Sequence, residues 1–185
     1  CIFYLNKNNK DLSFLTVIGQ CLFHERKYDE AIKIFDNILQ IDSKNLSALN
    51  SLARTHNEKN EKGKAEEYYL KALKIDGSSF YLLNNIAGFY RENSSYDKAI
   101  DYYKQALLVN PNNAYIYNNL AKIYFDLNNH KKALENSCKA LKMKKNDGDI
   151  QKTIAFIYLK DHEFENGWNY YDGRLDIEDF KEKNN

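Results

Sequence analysis

The side chains best equipped for chemistry in this chain are amides. Asn84-Asn85 and Asn118-Asn119 stand 34 residues apart, and each pair follows a tyrosine at the same offset, Tyr81 and Tyr115. Asn50 and Arg54 lie one such interval upstream, and Lys122 follows the later pair. A primary amide carries a donor and an acceptor together, so a column of amides can hydrogen-bond a peptide backbone whatever its sequence. The tyrosines add flat apolar area ending in a hydroxyl. This is chemistry for holding a molecule, and the same asparagines would also suit a solvated helix face with no ligand.

Bond-breaking chemistry finds no such support in the spacing. His24, His56, His130 and His162 fall at different phases of the 34-residue interval and do not converge on one face. Gly63, Gly77 and Gly88 are isolated, so no loop cradles a phosphate, and no nucleophile elbow is present. We therefore expect no catalytic residue, no metal site and no cofactor, and no enzyme activity in these residues, which leaves the activity of a longer parent protein open.

The elements that carry the amides repeat. Stepping by 34 from Ala99 reaches Ala65 and Ala31 in one direction and Ala133, then Gly167, in the other. A second series of small residues runs Gly19, Ala53, Ala87, Ala121 and Ala155. Each series sits in an apolar stripe of helical period, such as Leu15, Ile18, Gly19 and Leu22, or Ala31, Ile34, Phe35 and Ile38. The reading is five helical hairpins over residues 12–45, 46–79, 80–113, 114–147 and a divergent 148–175. Residues 1–11 read as the tail of a preceding repeat in a longer protein, and 176–185 as a charged linker or tail. Such hairpins cannot bury their apolar faces alone and must stack, with small residues where backbones approach.

Composition narrows the partners. Lysine plus arginine (27) nearly cancels aspartate plus glutamate (26), which leaves little net field for phosphate and disfavours a nucleic-acid ligand, an RNA reader included. No apolar run is long enough to span a bilayer. Cys1, Cys21 and Cys138 are odd in number and widely scattered, which suits a reducing, cytoplasmic compartment, with Cys21 and Cys138 expected as small buried apolar residues.

Residues Leu83, Ile86-Ala87, Tyr90, Ala99, Tyr103, Ala106 and Pro111 closely resemble the 34-residue pattern of the tetratricopeptide repeat family. Tyr117, Leu120-Ala121 and Tyr124 repeat its first half, while Ser137 and His56 depart from it. The resemblance implies an all-α, right-handed solenoid of about five antiparallel helix-turn-helix units. It also implies a concave face, lined by the first helices, that binds an extended peptide or a partner protein. Asn50, Arg54, Tyr81, Asn84, Asn85, Tyr115, Asn118, Asn119 and Lys122 would then face the ligand. Asn85 and Asn119 resemble the asparagine ladder of repeat arrays attached to protein glycosyltransferases. The carboxylate clamp of chaperone adaptors is disfavoured, because only one cation falls at its positions.

The last unit departs from the pattern in its second half. Phe164, Gly167-Trp168, Tyr171 and Arg174 resemble the segment that closes arrays preceding bacterial glycosyltransferase domains, which implies a docking surface at Trp168, Tyr171 and Arg174. A plain terminal cap would look similar. A further reading is a homodimer formed through the open end at residues 1–11.

Overall fold

The computed structural model describes residues 11–172, which form ten helices and, among those residues, no strand. They are α1 (Leu12–His24), α2 (Tyr28–Ile41), α3 (Leu46–Glu58), α4 (Lys62–Ile75), α5 (Phe80–Glu92), α6 (Tyr96–Val109), α7 (Ala114–Asp126), α8 (His130–Met143), α9 (Gly148–Lys160) and α10 (Phe164–Asp172). The chain divides into two compact units, residues 1–89 and 90–185, with the boundary inside α5. The expected N-terminal repeat tail and its dimerising end lie outside the described residues except for Asp11, and so do Arg174 and the charged tail.

Local chemistry sets where α1, α3, α7 and α9 begin. Asp11 accepts the backbone N–H of Ser13 at 3.0 Å, Asn45 that of Ala48 at 3.0 Å, Asn113 that of Ile116 at 3.1 Å, and Asp147 that of Asp149 at 3.1 Å. Each side-chain oxygen satisfies an orphan donor of the first turn, which is why Asn and Asp recur 34 residues apart in this role.

The turn inside each hairpin is equally regular. Arg26, Asn60, Ser94, Asn128 and His162 all adopt the left-handed conformation, with φ between 56° and 62°. The following N–H closes back over the helix end: Lys27 to Leu22 O at 2.9 Å, Glu61 to His56 O at 2.8 Å, Ser95 to Tyr90 O at 2.8 Å. This is the αL helix cap, usually made with glycine, and asparagine tolerates it better than arginine or serine. Replacing Arg26 or Ser94 by glycine should therefore stabilise the fold by about 1 kcal/mol. Thermal melts showing no gain, or a loss, would contradict that assignment of strain.

Within the first unit the core gathers Leu15, Ala31, Phe35, Ile38, Ala48 and Leu52, flanked by Leu12, Leu22, Phe23 and Tyr68. Gly19 packs α1 directly on α2: a Cβ there would stand 2.5 Å from the Phe35 ring, which is itself only 1% exposed. In the second unit Ala114, Ala140, Ile150 and Ile154 form a cluster with Tyr117, Leu134, Leu141, Tyr158 and Tyr170. The small residues Ala31, Ala53, Ala65, Ala87, Ala99, Ala121, Ala133 and Ala155 are all fully buried, as close packing of helices requires. Ring stacking joins the two helices of a hairpin at a recurring position, as in His56 on Tyr68 (5.4 Å), Tyr90 on Tyr102 (5.5 Å) and Tyr158 on Tyr170 (5.8 Å). Ser137 stands where the earlier hairpins have the buried rings of Phe35, Tyr69 and Tyr103, and it is buried without a partner for its hydroxyl.

Cys21 corrects the expectation drawn from its helical phase. It is exposed on α1, and Cys138 is half-buried, its thiol pushed up by burial; both are free. Helical phase alone put Cys21 beside the Leu15, Ile18 and Leu22 stripe, but that stripe is narrower than the phase implied.

A polar cluster reinforces the joint between the first two hairpins. Lys59 reaches Asp29 at 2.5 Å and Glu61 at 3.3 Å, while Glu61 also accepts from Lys64 at 2.8 Å and from His56 Nδ1 at 2.9 Å. Hydrogen bonds from Lys64 and His56 hold the Glu61 carboxyl down from 4.5 to about 2. In acid the unfolded chain takes up this proton first, so the stability Glu61 contributes is present above about pH 4.5 and is lost as pH falls toward 2. Chemical unfolding should find Glu61→Gln less stable than wild type near neutral pH, with the gap closing in strong acid. A gap that does not change with pH would refute the assignment.

Candidate functional site

In the first unit the amides pair with one another. Asn85 Nδ2 on α5 donates to Asn50 Oδ1 on α3 at 2.9 Å. Whichever way this pair of amides is turned, one donor and one acceptor stay available at the surface. Both side chains are half-buried, as is Asn84. Tyr81 beside them is 80% exposed, with its ring edge-on to Phe80 at 5.7 Å. Leu46, Ser47 and Leu82 complete a shallow hollow of about 160 Å³ with Asn50, Tyr81 and Asn85. Arg54 is exposed one turn along α3 from Asn50, its guanidinium 4.9 Å from the centre of the Phe23 ring. It shares a separate hollow of about 210 Å³ with Gln20, His24 and Ser51.

In the second unit the amides pair with charged groups. Arg91 donates to Asn119 Oδ1 at 3.1 Å. A guanidinium can only donate, so the orientation of Asn119 is chemically determined and its Nδ2 points its N–H groups elsewhere. Asn119 is therefore a preset donor. Tyr115 is half-exposed, and Lys144 both lies over its ring at 4.3 Å and donates to its hydroxyl. The hydrogen bonds Lys144 donates to Tyr115 first, and to Asp147 second, raise its ammonium above the usual lysine range.

Asn118 corrects the surface assignment. It is only 2% exposed, and its Nδ2 donates to Asp149 Oδ2 at 2.8 Å, the same oxygen that Lys122 Nζ reaches at 2.7 Å. An ionised carboxylate only accepts, so Asn118 must donate and its own Oδ1 is left buried without a partner. Asn118 is a structural tie between α7 and α9 and is not free to meet a ligand. Lys122 stays partly exposed at 35%.

Sequence reasoning missed what surrounds Lys122. Arg91 and Glu92 at the end of α5, Lys122, Phe125 and Asp126 on α7, and Asp149, Lys152 and Phe156 on α9 line a half-open cavity of about 430 Å³ in the second unit. The signal available was Phe156, an aromatic on a helix face otherwise polar, and it is 44% exposed. At the far end Trp168 is 53% exposed and meets Tyr171 edge-on at 5.6 Å, while Gly167 beside it is buried against Leu159. Among the described residues no group of three His, Cys, Asp or Glu side chains could hold a metal ion, and no helix is long and apolar enough to cross a membrane.

A sequence model of the tetratricopeptide repeat matches residues 12–78 and 78–146. No curated protein matches the chain. Among solved structures, the pilF protein of Pseudomonas aeruginosa is similar over 88% of this chain and 74% of its own, with 24% identity and a TM-score of 0.79. A MamA protein is similar over 94% of both chains, with 22% identity and a TM-score of 0.73. A thermophilic repeat protein of Thermus thermophilus shares 20% identity over 94% of this chain and 96% of its own, with a TM-score of 0.71. At these identities the likeness speaks for the fold. With helical hairpins that begin every 34 residues and a family match over most of its length, this all-α chain belongs to the tetratricopeptide repeat family.

Proposed function

We propose that the chain is a protein-interaction module that holds an extended peptide or partner segment along the faces of its first helices, without catalysis of its own. The observation that carries this reading is the amide arrangement. Asn85 with Asn50 keeps a donor and an acceptor at the surface, and Arg91 leaves Asn119 as a donor, so each unit offers fixed backbone-binding groups. Exposed Tyr81 and Tyr115 beside them supply apolar area at low entropic cost.

A peptide array probed with the wild-type chain and with the Asn85→Ala, Asn119→Ala double variant tests the reading. Two amides at about 0.5–1.5 kcal/mol each predict binding of the captured peptides weaker by about five- to 150-fold. Equal binding by both proteins, or capture of no peptide, would overturn it.

A second reading makes the chain the docking arm of a larger sugar-transferring protein. The exposure of Trp168 beside Tyr171 favours it, because a broad aromatic pair at an array's end suits contact with a neighbouring domain. Among the described residues the two cysteines are free, one of them exposed, which suits a reducing compartment, and we assign the chain to the cytoplasm on that ground.

A further inference from the structure

The cavity of the second unit has a composition that selects its occupant. Phe125 and Phe156 contribute the apolar surface, and Phe125 is steadied by stacking on His130, 5.7 Å between ring centres. Around the rings stand three cations, Arg91, Lys122 and Lys152, and three carboxylates, Glu92, Asp126 and Asp149. Lys122 is paired with Asp149 at 2.7 Å, Arg91 bonds the neutral Asn119, and the Lys152 ammonium lies 5.6 Å from the centre of the Phe156 ring. Such a rim has no net sign with which to attract a charged ligand, yet it places the Lys152 ammonium beside the Phe156 ring. A volume of about 430 Å³ lies at the lower end of the range that takes a small ligand.

We infer that this cavity is a specificity pocket for one aromatic side chain of the bound peptide. The inference rests on the peptide-binding reading above and adds the residue type that the second unit selects. An incoming ring gains edge or face contact with Phe125 and Phe156, and it can also take a cation over its face, which an aliphatic side chain cannot. The balanced rim makes recognition nearly independent of salt, in contrast to a site built on charge.

The test uses the whole chain and two free probes, N-acetyltyrosinamide and N-acetylleucinamide, titrated separately while backbone amide shifts are followed by NMR. The tyrosine derivative is expected to shift the amides of Phe125, Thr153 and Phe156, to bind about fivefold tighter than the leucine derivative, and to do so at low and high salt alike. Phe156→Ala, a change at a partly exposed position that should leave the melt unaltered, is expected to abolish those shifts. No shift at these amides, equal affinity for the two probes, or unchanged binding to Phe156→Ala would overturn the pocket. The probes contain too little backbone to engage the amide column, so loss of the pocket is read separately from failure of the peptide array.

Discussion

Phe35→Ala is expected to lower the stability of the first two helices by about 3–5 kcal/mol, the range for truncating a buried aromatic. The ring is 1% exposed and lies in the cluster formed by Leu15, Ala31, Ile38, Ala48 and Leu52. It also lies where a Cβ on residue 19 would stand 2.5 Å away, so Gly19→Ala alone should overpack the same place and cost about 1–3 kcal/mol. The two effects share one space. Gly19→Ala combined with Phe35→Leu should therefore cost less than the sum of the two single changes, which a double-mutant cycle measures directly. Amide hydrogen exchange in α1 and α2 provides the readout, since repeat stability is a sum of local and neighbour contributions. Strict additivity would mean that Gly19 is small for a reason unrelated to Phe35.

Gly167→Ala should detach α10. A helical alanine is ordinarily better than glycine by about 1 kcal/mol, so propensity alone predicts a gain. Packing reverses the sign, because the new Cβ would stand 2.7 Å from the Leu159 side chain and 3.2 Å from its backbone nitrogen. The leucine side chain can move, but the backbone of α9 cannot without disturbing Ile154 and Ile157, both buried. Gly63 is the control, since nothing lies within 4 Å of a Cβ there, and Gly63→Ala should stabilise by about 0.4–1 kcal/mol. Trp168, the only tryptophan in the chain, sits next to Gly167 and gives a fluorescence signal for the release of α10. Opposite signs for the two glycines are expected. A gain at both would remove the close contact between α9 and α10 from the account.

How much of this was legible in the sequence depended on what each residue type can tolerate. Alanine at Ala31, Ala65, Ala99 and Ala133 announces its role, because only a small side chain permits two helix backbones to approach, and one period then gives the hairpins. The caps were less visible. Asn45 and Asp147 are ordinary cap residues, but Arg26 and Ser94 have little left-handed preference, and they take that conformation because the turn between packed helices demands it. Asn118 and Asn84 share one helical position in successive hairpins and one side chain, yet Asn118 is buried while Asn84 is half-buried. The difference comes from Asp149, which offers a carboxylate to Asn118 from the next hairpin, a contact 31 residues away in sequence. Likewise the Asn50 to Asn85 bond and the pocket around Phe156 depend on residues from different hairpins; pattern within one hairpin carries no sign of the bond, and of the pocket it shows only the lone aromatic Phe156.

On the proposed function the first helices, not the second, present the binding surface. The most direct measurement is NMR mapping of the tightest peptide from the array onto the chain. Shift changes are expected to concentrate on α3, α5, α7 and α9, strongest near Asn50, Asn85, Asn119 and Phe156. Changes concentrated on α2, α4, α6 and α8, or confined to α10 around Trp168, would contradict the proposed function.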